Sequence, residues 1–469
     1  MLKLTPKTNE VVDRILEDEE ILKQLSNGFG SPLNIMIPEN FSNNIQAFRK
    51  VFDQHGIDAK IFYAHKANKS ESLVAQGRKE GIGIDVASEN ELKNALSKGF
   101  TGEDIIATGP KNKDFIRLAV RHGCKLHIDS LSELEKVNNY SEEYGETEIL
   151  IRLNNFTPRD RDAIQKHSRF GIPTGKKKEI IDSLEESENV EFKGLAFHLD
   201  TANMRKRAIA LQNIFDMIQE LHEEGYTTKV LDIGGGMKVN YLESSEEWSE
   251  YLEAVQESVA GKREGITWNN HNFGLRSENQ SVKGSINLYS YYNETTKEEY
   301  IDKLLKNEVP GYDRTFRDLL RDYMITLYIE PGRALLDLTG LTVGKVNFVK
   351  EDPCGEKLVG LDMNYTNINP GNSEMMVDPK MVYKGERENL EDGVFFVGNL
   401  CLESDFIYKH KTFLDRKPEE GDLVLFVNTA PYHMDFQESR TIQHDVAEKV
   451  AVYGDGKWKK DELYTGDEL

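Results

Sequence analysis

Eight short apolar or β-branched runs recur through the first 335 residues and constrain the fold more than any other feature. The first five begin 21, 22, 21 and 24 residues apart, and the stretches between them carry apolar residues at helical spacing. Strands that alternate with helices at this pitch form βα units, whose strands pair in parallel. Eight such units in about 290 residues favour a closed (β/α)8 barrel over an open sheet. The runs are IFYAHK (61–66), IGIDVAS (82–88), DIIATG (104–109), KLHID (125–129), ILIRLN (149–154), GLAFHLD (194–200), VLDIGGG (230–236) and TLYIEPGR (326–333).

The chain divides into three predicted parts. Residues 1–40 form an N-terminal segment in which SPLNIMIP (31–38) partly joins a second domain, residues 41–335 form the barrel, and residues 336–469 form a C-terminal β-domain. After residue 335, strand-like runs are joined by Gly, Asp and Asn turns, which is typical of mostly antiparallel sheets. The fold class predicted is therefore α/β plus β.

One interval between barrel strands is far too long for a single helix. The seventh and eighth runs begin 96 residues apart, and the insertion at about 240–320 contains two acidic, helix-like stretches (241–259 and 287–305). An insertion on a βα loop lies at the active face of a barrel, so it could shape a substrate pocket. A packing embellishment or an oligomer contact is the alternative.

Composition excludes several classes of function. The chain has 59 Lys and Arg against 81 Asp and Glu, and a net charge of −22 disfavours nucleic acid and anionic membrane surfaces as partners. Three cysteines without CxxC spacing argue against a disulfide scaffold or a cysteine zinc site, and no metal is expected. No run approaches the length of a membrane span and the first residues have no apolar signal region, so we expect a cytoplasmic protein.

Polar residues and glycines collect where the predicted strands end, which is where barrels carry their chemistry. Lys66 follows a strand in YAHKAN. A lysine held against apolar walls is prepared as a neutral amine for imine formation, although a surface or salt-bridged lysine is the simpler interpretation of this residue alone. The other strand-end candidates are Asp85, Arg152, His198, Gly234, Gly235, Gly236, Glu330, Gly332 and Arg333.

A phosphate site is predicted after strands seven and eight. The triple glycine 234–236 suits close backbone approach to a phosphate, and Gly332 with Arg333 could complete the cup. A lysine and a phosphate cup together suggest pyridoxal phosphate (PLP), and Glu330 could then keep the pyridine nitrogen protonated. The alternative for Glu330 is an ion pair with Arg152 or Arg333. The alternative for His198 is a structural role in the core.

Nine motifs, in this order, are similar to those of the fold-type III PLP-dependent decarboxylases. They are YAHKAN, GIDVASENEL, HIDSLSELEKV, IRLN, SRFGI, GLAFHLDT, DIGGGM, EPGR and GNLCLESD, and the resemblance covers about residues 30–440. That family includes diaminopimelate, ornithine, arginine and carboxynorspermidine decarboxylases. It implies an alanine-racemase-like barrel with a C-terminal β-domain.

The resemblance gives the strand-end residues their roles. Lys66 would hold PLP as a Schiff base, Glu330 would pair with the pyridine nitrogen, and His198 would stack on the ring. Asp85 and Arg152 would brace the lysine side and the surround of the ring. The phosphate would be received by Gly234, Gly235, Gly236, Gly332, Arg333 and Tyr432, the last in APYHMD.

The motif CLESD implies a homodimer with shared active sites. It resembles the segment that each chain of the family lends to its neighbour, where Cys401 would handle protonation of the decarboxylated carbon. Glu403 and Asp405 are the predicted substrate-binding residues. Leu402 stands where the diaminopimelate and ornithine enzymes carry an acidic residue, and Asp200 replaces a family glycine, so no single family substrate can be copied.

The sequence therefore predicts PLP-dependent decarboxylation of an amino acid or amino-acid conjugate. An amino-acid racemase or epimerase on the same scaffold is one alternative, although alanine racemases place an arginine at the pyridine nitrogen. A non-catalytic, decarboxylase-like regulator is the other, although such proteins usually lose the lysine or the phosphate cup.

Overall fold

The fold positions eight parallel strands around a closed barrel. The computed structural model describes residues 2–158, 168–279, 281–369, 375–454 and 456–462. Strand pairing runs without a break around the ring, and the fourth and fifth strands close it. This confirms the predicted fold class. The barrel strands are β1 Ala59–Ala64, β2 Gly83–Val86, β3 Ile105–Ala107, β4 Lys125–Ile128, β5 Thr147–Asn154, β6 Val190–Ala196, β7 Val230–Asp232 and β8 Thr326–Ile329.

The interior of the barrel is packed with side chains. Six of the eight strands contribute to a separate buried cluster: Phe62, Ile106, Leu150, Ala196, Val230 and Tyr328. Since β-strand side chains alternate between two faces, apolar residues of the opposite face, such as Ile84, Ile105 and Ile149, point outward and pack against the surrounding helices. The side chains that are available for binding and catalysis therefore lie at or near the ends of the strands.

Helices surround the barrel and begin at recognisable caps. The side chains of Ser88, Asn112 and Ser130 each accept a hydrogen bond from a backbone N–H of the first turn that follows. The helices between Pro38 and β7 are Pro38–His55, Glu71–Glu80, Glu89–Ser97, Lys113–Arg121, Leu131–Tyr144, Lys177–Glu185 and Met204–Glu223. Two further helices, Glu10–Glu17 and Glu19–Phe29, precede the first strand.

The insertion between β7 and β8 has its own elements. It carries helices Ser245–Val259, Lys297–Lys306 and Phe316–Asp322, and two small antiparallel ribbons, Leu275–Glu278 with Ser281–Gly284 and Glu308–Val309 with Arg314–Thr315. The second helix-like stretch, 287–305, is helical only from Lys297. Its first residues are irregular, and the rings of Tyr289 and Tyr291 pack against that of Tyr241.

A second sheet follows the barrel. Six of its strands pair in the order Lys380–Val382, Leu423–Val427, Gly340–Glu351, Leu33–Met36, Glu448–Val452 and Trp458–Lys460. Two more strands extend the sheet: Lys357–Leu361 pairs with Gly340–Glu351, and Val394–Val397 pairs with Lys357–Leu361. The N-terminal strand Leu33–Met36 pairs antiparallel with Gly340–Glu351 and parallel with Glu448–Val452. Among the described residues, no helix is both long and apolar enough to cross a membrane.

Candidate active site

Lys66 lies in a single 3₁₀ turn, His65–Ala67, that follows β1. The turn places its ammonium Nζ 3.8 Å from Oδ2 of Asp85, a buried residue of β2. Asp85 raises the pKa of Lys66 above its ordinary value, and this effect outweighs the opposite effect of burial. Strands β1 and β2 are paired neighbours, so the parallel register of the barrel brings the two side chains together.

The second domain fixes the lysine turn from outside the barrel. Tyr432 N donates to the carbonyl of Ala67 at 3.0 Å, and Asn68 Nδ2 donates to the carbonyl of Ala430 at 2.9 Å. The backbone N–H of Lys69 donates to Asp435 at 2.8 Å. The loop that carries Tyr432 is therefore bound to the three residues that follow the lysine.

The triple glycine forms a backbone-lined loop with no room for side chains. A Cβ on Gly234 would lie 2.6 Å from His198 Nδ1, and one on Gly235 would lie 2.5 Å from the carbonyl oxygen of Glu330. A Cβ on Gly236 would lie 2.6 Å from the carbonyl oxygen of Leu199. Glycine is required at each of these positions because the neighbouring atoms approach too closely for any other residue.

Arg207, which the sequence analysis did not single out, holds this loop from behind. Its guanidinium is buried and donates to the carbonyls of Ile233 at 2.7 Å, Gly235 at 2.5 Å and Leu199 at 3.0 Å. Because the carbonyls of Ile233 and Gly235 are held by Arg207, the conformation of the glycine loop is fixed from this side. In the sequence Arg207 is the last residue of a basic run, Arg205–Arg207, at the start of the helix Met204–Glu223, so nothing there marks it as buried.

His198 lies beside the same loop. The N–H of Gly235 donates to His198 Nδ1 at 3.3 Å, which requires that nitrogen to be unprotonated. Burial lowers the pKa of His198 well below its usual range, and the positive charge of Lys66 lowers it further. His198 is therefore a neutral ring, suited to packing against another ring.

Glu330 directly follows β8 and is buried with two other titratable residues. His127 of β4 lies 3.5 Å from Glu330 through Nδ1 and 3.5 Å from Asp232 of β7 through Nε2. Burial raises the pKa of Glu330 well above its usual range, and Asp232 raises it further. In the part of the chain that the structure describes, Glu330 has no ion pair with Arg152 or Arg333, so that alternative is not supported.

Gly332 and Arg333 lie where the lysine turn meets Tyr432. A Cβ on Gly332 would lie 2.9 Å from Cβ of Ala67 and 2.9 Å from the Tyr432 hydroxyl. The Arg333 guanidinium lies 4.3 Å from the ring centroid of Tyr289 and 5.0 Å from that of Tyr432, and it donates to the hydroxyl of Tyr241. The sequence analysis missed both Tyr241 and Tyr289.

Arg152 lies at the end of β5. Its Nη1 is 3.7 Å from Asp129, and its guanidinium lies 4.9 Å from the ring centroid of Phe170, in the SRFGI motif. Its charge lowers the pKa of His127 and of His198, both of which burial lowers most. Arg152 therefore belongs electrostatically to the same site.

The residues of the CLESD segment differ in burial. Cys401 and Glu403 are exposed on the surface of the single chain, whereas Asp405 is buried. The Asp405 carboxylate accepts the N–H groups of Tyr365 at 2.9 Å and Leu400 at 2.7 Å. Within one chain Asp405 therefore shapes the loop that displays Cys401 and Glu403.

The geometry of the site agrees with the comparisons to known proteins. Residues 39–270 match the family described as pyridoxal-dependent decarboxylase, pyridoxal binding domain. The chain is 24% identical over 421 residues to a diaminopimelate decarboxylase of Staphylococcus aureus, covering 88% of this chain and 86% of that one. This chain belongs to the fold-type III PLP-dependent decarboxylases. The predicted family, enzyme class and cofactor are confirmed.

Other relatives show that this chain is a divergent member of the family. It is 28% identical over 441 residues to an uncharacterised protein, y4yA, of Sinorhizobium fredii, with 91% of this chain and 89% of that one covered. A diaminopimelate decarboxylase of Methanocaldococcus jannaschii, solved with L-lysine, superposes with a TM-score of 0.68 at 21% identity and covers 96% of this chain and 94% of that one. At this identity the structural likeness establishes the fold alone.

The residues of the site fit PLP. A backbone loop free of side chains suits a phosphate, Lys66 supplies the amine, and Glu330 Oε1 is a buried carboxylate oxygen without a hydrogen-bond partner. PLP supplies an electron sink for carbanion chemistry when bound.

Proposed function

We propose that this protein decarboxylates an amino acid or amino-acid conjugate with Lys66 as the residue that holds PLP. The observation that carries the proposal is the buried carboxylate of Glu330, which directly follows β8, the neighbour of the strand that leads into the lysine turn, and has an unpartnered oxygen. A carboxylate at the pyridine nitrogen favours the protonated ring, which decarboxylation requires as a strong electron sink. An arginine there would favour racemisation.

Each side of the site has a separate task in this proposal. The glycine loop 234–236, Gly332, Arg333 and Tyr432 surround the phosphate, because backbone without side chains lets it approach closely and a guanidinium and a phenol are natural donors to it. The neutral ring of His198 packs on the cofactor face, and Asp85 keeps Lys66 oriented.

The proton that replaces the lost carboxylate comes from a second chain. Cys401 is exposed in the single chain, and its loop is held in shape by the buried Asp405. We assign Cys401 to protonation of the substrate carbon in the partner's site, with Glu403 beside it for the substrate. The protein is then a homodimer whose sites are complete only across the interface.

The substrate proposal stays at the level of a class. The S. aureus and M. jannaschii relatives are diaminopimelate decarboxylases. In this chain Leu402 and Asp200 depart from the family pattern, and both are exposed. We therefore propose a substrate whose distal group differs from that of diaminopimelate.

The test is release of carbon dioxide from PLP-loaded protein. The panel contains L- and D-forms of diaminopimelate, lysine, ornithine, arginine and diaminopropionate, and carboxynorspermidine-like conjugates. Lys66→Ala should abolish release, whereas Lys60→Ala, an exposed lysine of the same strand, should retain it. Exchange of the α-proton in D₂O without release of carbon dioxide would show a racemase instead.

Shared sites are tested by mixing two inactive variants. Lys66→Ala and Cys401→Ala should each be inactive, and their coexpression should restore about a quarter of wild-type activity, because half of the dimers are mixed and carry one intact site. No recovery in mixed dimers would place Cys401 in its own chain's site or outside the reaction.

A further inference from the structure

The ring of His127 lies between two carboxylates at the centre of the barrel. His127 Nδ1 is 3.5 Å from Glu330 Oε1, and His127 Nε2 is 3.5 Å from Asp232 Oδ2. His127, Glu330 and Asp232 are 3%, 7% and 0% exposed, so bulk solvent hardly reaches them. Glu330 Oε1, His127 Nε2 and Asp232 Oδ2 all lack a hydrogen-bond partner. Buried polar atoms are normally paired, so three together require an explanation.

One arrangement of protons satisfies all three atoms. Asp232 Oδ1 already accepts the N–H of Gly234 at 2.7 Å, which leaves Oδ2 free to carry a proton. A proton on Oδ2 can be donated to Nε2 of a neutral His127, whose Nδ1–H then faces Glu330 Oε1. Each donor in this chain meets an acceptor, and a small contraction from 3.5 Å gives normal hydrogen bonds.

We propose that His127 and Asp232 are positioning residues that donate the His127 Nδ1–H to Glu330 and so keep Glu330 ionised and aimed at the ring nitrogen of the cofactor. The inference rests on the role proposed above for Glu330. A donor to a carboxylate favours its charged form. Without that donor, burial favours a neutral Glu330, which cannot hold the ring nitrogen protonated.

The electrostatic surroundings agree with this placement of protons. Burial lowers the pKa of His127 well below its usual range, and Arg152, Lys111 and Lys66 lower it further, so the imidazole is neutral. Burial raises the pKa of Asp232 to about 7, and Asp85 contributes in the same direction, so Asp232 can hold the second proton. Glu330 itself faces Asp232, Asp85, Lys66 and Arg152.

The cluster also couples two ends of the cofactor site. Asp232 ends β7 and binds the N–H of Gly234, the first glycine of the predicted phosphate loop. The same carboxyl group faces His127 on its other oxygen. The Asp232 side chain therefore contacts both the predicted phosphate loop and the histidine that faces Glu330.

The test reads the ring nitrogen directly. PLP labelled with ¹⁵N at that nitrogen is bound to the holoenzyme, and its chemical shift distinguishes the protonated from the unprotonated ring. We expect wild type and His122→Leu, at an exposed histidine beyond the helix Lys113–Arg121, to show the protonated shift. His127→Leu should lose it and lower kcat about 10- to 100-fold with little change in KM, whereas His127→Asn, whose amide N–H can replace the Nδ1–H donor, should keep it.

Two substitutions of Asp232 separate the proton from the charge. Asp232→Asn supplies an amide N–H in place of the carboxyl proton and should keep the protonated shift, whereas Asp232→Leu should lose it. Circular dichroism and cofactor content establish that each variant is folded and loaded, and His127→Met, which also lacks a donor, replaces His127→Leu if the leucine variant does not fold.

The outcomes distinguish the role inferred for His127 from the role proposed for Glu330. If Glu330→Gln removes the protonated shift while His127→Leu keeps it, the His127 link is refuted and Glu330 retains its role. If Glu330→Gln also keeps the shift, both are refuted. The ligand atoms of the cluster lie within 4.8 Å of one another, so a stoichiometric metal ion bound there would likewise overturn the proton assignment.

Discussion

Replacement of Gly235 by alanine adds one methyl group at the point where three parts of the site meet. The new Cβ would lie 2.5 Å from the carbonyl oxygen of Glu330 and 3.7 Å from His198 Cε1. Gly235 is not among the residues with positive φ, so alanine introduces no backbone strain and the effect is steric. The N–H of Gly235 donates to His198, and its carbonyl accepts from Arg207, so the loop cannot move without breaking a contact.

The magnitude follows from the contact distance. Ordinary contacts begin near 3.4 Å, so the loop or the Glu330 backbone must move by about 0.9 Å. Overpacking of this kind costs about 1–3 kcal/mol. We therefore expect a dissociation constant for PLP that is about 5- to 140-fold higher. Because the displacement passes to Glu330, kcat should fall as well.

The assay is equilibrium binding of PLP to apoprotein, followed by turnover at saturating cofactor. Gly28→Ala is the matched control, since Gly28 lies in the helix Glu19–Phe29 with no atom within 4 Å of the new Cβ, and its affinity should equal that of wild type. An affinity and a kcat for Gly235→Ala within twofold of wild type would refute both the assigned phosphate loop and its contact with Glu330.

Three further changes test the supports of the site. Arg207→Met keeps the aliphatic stem but leaves buried carbonyls unpaired, so denaturant unfolding of the apoprotein should show a loss of about 2–4 kcal/mol together with weaker PLP binding. Lys111→Met leaves the buried Glu133 carboxylate without its ion-pair partner, so the free energy of unfolding should fall by about 3–5 kcal/mol in the same assay. The double variant Lys111→Met with Glu133→Leu should recover most of this loss. Tyr289→Leu removes the ring that lies against Arg333 and should raise the dissociation constant for PLP about 2- to 10-fold in equilibrium binding, with unchanged unfolding.

The barrel could be predicted because its signal is local and repeated. Each βα unit carries its own apolar strand and amphipathic helix, and the same spacing recurs from one unit to the next. The pairing of the second sheet could not be predicted in the same way. Leu33–Met36 pairs with strands that begin at Gly340 and Glu448, and such distant partners leave no periodic signal in the chain.

The residues of the candidate site also differ in whether the sequence could predict their positions. Lys66, Asp85 and Glu330 lie at strand ends, so the topology alone indicates that they converge. Arg207 acts through carbonyl groups of a loop that is distant in sequence, and helix periodicity describes it only as a polar residue on an apolar face. His127 lies on β4 one residue before the strand ends, and only the three-dimensional structure reveals that its ring lies between two carboxylates.

Two parts of the insertion contact different parts of the molecule. The extended stretch before the helix Lys297–Lys306 carries Tyr289, whose ring centroid lies 4.3 Å from both the Arg333 guanidinium and the Lys238 ammonium. The helix Ser245–Val259 instead places Tyr251 5.9 Å from His410 of the second domain. The first contact adjoins the predicted phosphate site and the second is packing between domains. Truncation of the whole insertion would therefore remove both effects together, whereas Tyr289→Leu removes only the first.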